Sequence, residues 1–170
     1  YIADSWNHRV QVISFGGSAP PVAENQTFTI PENSPNQMEI GIFNAINPMA
    51  GSLAWSIQGG NELGAFEIAS ETGMIVLVDS AKIDYETIQS ISLQIAITNS
   101  EGTTVAEAEI SISNINEAPQ TTNQEFEIEE NTDNGTTVGT LAATDPENDP
   151  LSYEITAGNQ LNIFAIDGST

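Results

Sequence analysis

Residues 90–112 read Ser90-Ile91-Ser92-Leu93-Gln94-Ile95-Ala96-Ile97-Thr98-Asn99-Ser100-Glu101-Gly102-Thr103-Thr104-Val105-Ala106-Glu107-Ala108-Glu109-Ile110-Ser111-Ile112. Ile91, Leu93, Ile95 and Ile97 alternate with Ser92, Gln94 and Ala96. Beyond the turn residues Ser100-Glu101-Gly102, Ala106, Ala108, Ile110 and Ile112 alternate with Glu107, Glu109 and Ser111. Successive side chains of a strand point to opposite faces, so a period of two marks half-buried strands. Met74 to Val78 is a denser apolar run, and Asn47-Pro48, Gly59-Gly60-Asn61 and Glu71-Thr72-Gly73 are turn punctuation. No helix-length stretch of 3.6-residue periodicity interrupts the series. Short strands with regular turns predict an all-β chain built as a Greek-key sandwich of immunoglobulin-like architecture.

The chain repeats itself. Residues 21–72 fall on residues 119–170 without a gap at an offset of 98, and 19 of the 52 aligned positions are identical. Phe28/Phe126, Ile30/Ile128, Glu32/Glu130, Asn33/Asn131, Gly41/Gly139, Leu53/Leu151, Asn61/Asn159 and Phe66/Phe164 are among them. The expected organisation is residues 1–17 as one element, a linker over 18–25, a complete repeat over 26–117 and a truncated second repeat over 118–170. Gly16-Gly17-Ser18-Ala19-Pro20-Pro21 and Glu117-Ala118-Pro119 read as linkers, because proline removes a ladder donor and favours extended chain. The second copy lacks a counterpart of residues 73–118, and a sandwich without about half its strands is expected to fold poorly alone.

Composition narrows the partners. Two basic residues, Arg9 and Lys82, stand against 24 acidic ones, for a formal charge of −22. Nucleic acid and anionic membrane are excluded by repulsion from their phosphates, and no apolar run reaches the length of a membrane span. Recurrent Ile, Val, Thr and Phe separate the chain from a disordered acidic tail. High salt or a bound divalent cation must therefore offset the charge. The absence of cysteine excludes a disulfide framework, and with His8 as the only histidine, nucleophilic triad chemistry has no support. The chain does not begin with methionine and shows no basic segment ahead of an apolar stretch, so a signal peptide, if the protein has one, is expected outside it.

Tyr1-Ile2-Ala3-Asp4-Ser5-Trp6-Asn7-His8-Arg9-Val10-Gln11-Val12 is an apolar strand, a polar turn and a second apolar strand. It resembles the end of an NHL-repeat propeller blade, whose signature includes the Asn-His-Arg string. Physically such a blade end is a hairpin in which Asp4 and Asn7 can bond turn backbone, with Val10 and Val12 on one side; any other hairpin with a polar turn is the alternative.

Four further elements carry a second resemblance: Pro31-Glu32-Asn33, Ile83-Asp84-Tyr85-Glu86, Asn114-Ile115-Asn116-Glu117-Ala118-Pro119 and Ala143-Thr144-Asp145-Pro146-Glu147-Asn148-Asp149. In order they resemble the PEN, LDxE, DxNDNxP and AxDxD elements of cadherin repeats, of the bacterial type, over residues 22–170. The resemblance implies calcium held between the lower end of one repeat and the upper end of the next. Carried over, Glu32, Asp84, Glu86 and Glu117 supply carboxylates, Asn114 and Asn116 amide oxygens, and Asp145, Glu147 and Asp149 the remainder, with Asn159 nearby. Calcium is a hard cation that takes 6–8 oxygens, which such a set offers. Asn114 stands where the family has Asp, and Glu117-Ala118 replaces Asp-Asn, so one to three ions are expected. The upper end of the first copy is an internal control: Asn47, Met49 and Gly51 align with Asp145, Glu147 and Asp149, and Asn99 replaces a later acidic ligand.

Two functions follow. One is a non-enzymatic, calcium-rigidified adhesion or spacer module, extracellular or at the cell surface, whose partner is another adhesion protein or a glycan. The other is a calcium-independent, Ig-like carbohydrate-binding or accessory domain of a secreted enzyme, in which paired carboxylates act on a glycoside or Trp55 or Trp6 stacks on sugar. Trp55 aligns with Tyr153 in an apolar alternation, which favours a core aromatic.

Overall fold

The computed structural model describes residues 18–168 and the backbone of two short N-terminal strands, β1 (Ile2–Asp4) and β2 (Arg9–Gln11). These two pair antiparallel, Ile2 with Gln11 and Asp4 with Arg9. The Asn7-His8 turn and Trp6 lie outside the described residues, so the propeller reading rests on sequence resemblance alone. The chain divides into two compact units, Tyr1–Asn114 and Ile115–Thr170.

The first unit is an all-β sandwich. Its strands are β3 (Gln26–Pro31), β4 (Met38–Ile42), β5 (Ala54–Gly59), β6 (Phe66–Ile68), β7 (Met74–Leu77), β8 (Ser90–Asn99) and β9 (Gly102–Ser113). A single 3-10 turn, Ser80–Lys82, precedes β8 and is capped by the Asp79 carboxylate, which accepts from the Ala81 N–H. One sheet has the order β3-β9-β8-β5 and the other β4-β7-β6. β8 and β9 pair antiparallel from Ser90↔Ser111 to Asn99↔Gly102, and β3 runs parallel to β9 from Gln26↔Ala108 to Pro31↔Ser113.

The alternation that predicted the fold defines its inner face. Ile91, Leu93, Ile95, Ile97, Ala106, Ala108, Ile110 and Ile112 are all buried, together with Ile30, Phe43, Phe66, Ile75 and Leu77. Large residues face small ones across the hairpin: Leu93 is opposite Ala108 and Ile95 opposite Ala106, which leaves room for the side chains of the second sheet. One position departs from the pattern. Ala96 belongs to the outer face yet is 1% exposed, because a methyl group on an interior strand is covered by taller neighbours such as Val105 opposite it.

The repeat is visible as repeated contacts. Gln26 Nε2 donates to Asn44 O and its Oε1 accepts from Asn44 N, as Gln124 does with Ala142. The Asn61 amide closes a loop onto both backbone groups of Phe66, and Asn159 does the same with Phe164. A side chain at Gly41 would meet the Phe28 ring, and one at Gly139 the Phe126 ring, which accounts for both identities. The second unit has the single bridge Gln120↔Thr144 and no strand among its described residues. Its Phe126, Ile128 and Leu141 are 44%, 50% and 41% exposed, whereas their counterparts Ile30 and Phe43 are fully buried and Phe28 half-buried.

Gly60 and Gly64 both have positive φ, but a Cβ at Gly60 would lie 1.8 Å from the Ser92 carbonyl oxygen and one at Gly64 meets nothing. Urea denaturation should therefore separate them. Gly64→Ala is expected to cost about 1–2 kcal/mol of conformational strain, and Gly60→Ala about 3 kcal/mol or more because backbone must also move.

Candidate metal centre

Each unit, taken by itself, holds one set of the acidic residues singled out above. In the first unit, β3 ends at Pro31 beside the end of β9, and the Glu32 N–H extends the ladder by donating to Ser113 O at 3.1 Å. Asn33 then takes a left-handed conformation with φ 57°, and Ser34 Oγ donates to Pro31 O at 2.6 Å. This turn holds the Glu32 carboxylate inward, where the residue is only 2% exposed. Its Oε2 accepts from the Tyr85 N–H at 2.7 Å.

That bond anchors the segment carrying Asp84 and Glu86. Asp84 starts a turn in which its carbonyl accepts from the N–H groups of Thr87 and Ile88, while its Oδ2 accepts from Thr87 Oγ1 at 2.8 Å. Ile83, buried at 3%, pins the start of the segment to the core. Asn114, just past β9, donates from Nδ2 to Glu86 Oε1 at 3.1 Å. Glu32, Asp84, Glu86 and Asn114 thus share the lower end of the sandwich, with Glu32 buried and the other three exposed.

The second unit gathers the rest. Asp145 opens an Asx-type turn: its Oδ1 accepts from Glu147 N at 3.1 Å and Asp149 N at 3.0 Å, and its carbonyl accepts from Asn148 N. Glu147 Oε2 accepts from Glu117 N at 3.3 Å, and Asn116 Nδ2 donates to Glu117 O. Asn159 bonds Phe164 through both ends of its amide and so clamps its own loop.

The donor set fits a hard cation. Glu32 is a carboxylate almost without solvent, in a chain with two basic residues, and burying such a charge is costly unless positive charge or donors surround it. Glu147 Oε1 is buried and has no hydrogen-bond donor among the described residues. A carboxylate oxygen buried without a donor carries negative charge that a cation offsets, whereas a surface carboxylate is relieved by water. Asn114 and Asn116 donate through Nδ2, and the Oδ1 of each amide is the atom a cation would take.

Sequence reasoning did not find three contributors: the Tyr85 N–H on Glu32, the Thr87 hydroxyl on Asp84 and the Ser113 carbonyl on the Glu32 N–H. Thr87 had a readable signal, since Asp followed three residues later by Thr is a local capping pattern. The two backbone groups had none.

Comparison with known proteins gives a consistent answer. The family model described as "Cadherin domain" matches residues 26–113. Human Cadherin-23 is 31% identical over 166 residues, covering 86% of this chain but 5% of its own length, and human Protocadherin Fat 1 is 33% identical over 129 residues, covering 71% and 3%. The chain therefore spans a small fraction of the curated relatives it matches. Among solved structures, human Protocadherin-24 EC1-2 aligns with a TM-score of 0.60 at 20% identity, covering 75% of this chain and 62% of that one. Protocadherin Gamma B2 extracellular cadherin domains 1-5 aligns at 0.56 and 18%, covering 75% and 26%. At these identities the structures speak for the fold.

Removing the Glu32 acceptor leaves the Tyr85 N–H without that partner and detaches the Asp84–Glu86 segment. Glu32→Ala is expected to destabilise the first unit by about 1–3 kcal/mol in chelator as well as in calcium, read by chemical denaturation.

Proposed function

This chain belongs to the cadherin family, and on that premise we propose that it is a calcium-binding, calcium-rigidified extracellular adhesion or spacer module of a larger surface or secreted protein. The observation that carries the calcium reading is the buried Glu32 carboxylate, held by backbone at the same end of the sandwich as Asp84, Glu86 and Asn114. On this reading Glu32, Asp84, Glu86 and Asn114 would hold the ion from the first unit, and Asn116, Glu117, Asp145, Glu147 and Asp149 are the oxygens the second unit would offer. Bound calcium supplies positive charge where this chain has almost none. The residues do the rest: β3 and β9 position Glu32, the Asp84–Thr87 turn presents two carboxylates two residues apart, and the Asp145 turn leaves Oδ2 beyond its N–H bonds.

The gain is more in stiffness than in stability. With dissociation constants of about 10⁻⁴–10⁻³ M, usual for extracellular modules, 1 mM calcium adds roughly 0.4–1.4 kcal/mol per site by mass action. Adhesion, with another adhesion protein as partner, is the role this reading assigns, and the segment itself needs no membrane contact. No described helix is long and apolar enough to cross a membrane. The carbohydrate-binding alternative is not favoured, because Trp55 is half-buried against the hydrophobic core, as a core aromatic would be.

Glu32→Gln separates charge from shape. Gln keeps an oxygen for the Tyr85 N–H but carries no charge to bury, so the variant should match or exceed the wild type in melting temperature in chelator and lose the stabilisation that millimolar calcium gives the wild type. A wild-type melting temperature indifferent to calcium contradicts the proposal.

A further inference from the structure

The opposite end of the first sandwich solves the same structural problem without charge. There Asn99, the last residue of β8, uses its whole amide. Its Nδ2 donates to Ala19 O at 2.9 Å and to Asn47 Oδ1 at 3.0 Å, while its Oδ1 accepts from Glu101 N at 2.9 Å and Gly102 N at 3.2 Å. Two donors and two acceptor sites exhaust what an Asn side chain has, so no lone pair is left for a ligand. Asn47 is almost as fully bonded: beyond Asn99, it accepts from Met49 N at 3.3 Å and donates from Nδ2 to Gly51 O at 3.0 Å.

The aligned turn of the second unit offers a comparison. Asn47 aligns with Asp145, and both accept from the N–H two residues on, Met49 in one copy and Glu147 in the other. Beyond that bond the turns diverge: Asn148 is left-handed at φ 60°, and Asp145 Oδ1 accepts a second N–H, from Asp149. At the second side-chain position Asp145 carries an oxygen, whereas Asn47 carries an N–H that points at Gly51 O. An N–H in that place repels a cation and satisfies the carbonyl a cation would otherwise take.

What this network fastens is the segment 18–25, which runs along the sandwich ahead of β3. Besides Ala19, the Pro21 carbonyl accepts from Thr104 Oγ1, and Pro21 is buried. Val22 exchanges two backbone bonds with Ile46 at 2.9 and 2.8 Å, and Asn25 Oδ1 accepts from Glu107 N. At its start Ser18 Oγ donates to the Glu101 carboxylate, which with the Ser100 hydroxyl holds Glu101 below its ordinary pKa.

We propose that Asn47 and Asn99 form a cation-free clasp that fixes the strap of residues 18–25 to the upper end of the sandwich, so that this end is ordered without calcium. The clasp stands on its own hydrogen bonds. Only its contrast with the lower end rests on the calcium reading.

Residue-resolved amide exchange on the full chain tests it, in millimolar calcium and in chelator. In the wild type, the Val22, Ile46 and Gly102 amides should keep their protection within about twofold between the two conditions, because the bonds that close them contain no ion. Asn99→Ala should lower protection of Val22 and Ile46 by about tenfold or more while leaving that of Ile30 and Ile110 within about twofold. Asn99→Asp, which keeps the acceptor for Glu101 and Gly102 but sets an oxygen against Asn47 Oδ1 and Ala19 O, should lower it likewise in chelator and answers the question should the alanine variant not fold. Protection at Val22 that depends on calcium in the wild type, or that survives Asn99→Asp in chelator, overturns the clasp. Absence of any calcium effect at Tyr85 would instead defeat the lower-end reading and leave the clasp in place.

Discussion

The antiparallel pairing of β8 with β9 is the interaction on which the rest of the first unit depends. It runs without a register break from Ser90↔Ser111 to Asn99↔Gly102, carries most of the inner face, and receives β3 and β5 on its two sides. Because it spans the full height of the sandwich, its two ends position the two candidate sites. Asn99 and Gly102 close it at the top. Ser113 and Asn114 continue it at the bottom, where the parallel pairing of β3 places Glu32 alongside.

A strand end leaves backbone carbonyls and N–H groups that need partners, and a chain with a charge of −22 cannot supply them with lysine or arginine. The two ends meet that constraint differently. At the top, neutral amides pair with one another and with the strap, and the result costs no charge burial. At the bottom, carboxylates are held by backbone N–H groups, and Glu32 loses nearly all its solvent. N–H groups relieve a buried carboxylate only in part, which is the electrostatic load that the calcium proposal answers.

The inner-face alternation of Ile91 to Ile97 and Ala106 to Ile112 made the sandwich legible, because a period of two has no other structural use at that length. Ala96 was misplaced by that rule, since alternation tells which face a residue joins and not how deeply its neighbours cover it. Strand order was not legible either: nothing in Gln26–Pro31 announces a parallel partner about eighty residues later in the chain. At the lower end the carboxylate identities were readable, but not that Glu32 alone is buried or that Tyr85 serves it through backbone. At the upper end the missing acids were readable as substitutions. The saturation of Asn99 was not, because it depends on the strap returning a carbonyl from Ala19.

The central claim is that calcium acts at one end of the first unit and not at the other, and a calcium titration of the 15N-labelled chain followed by amide chemical shifts tests it most directly. Saturable shifts at Tyr85, Glu117, Glu147 and Asp149, with Met49, Asn99 and Gly102 unmoved, are the predicted result. Shifts of equal size at both ends, or none at Tyr85 up to millimolar calcium, would contradict it.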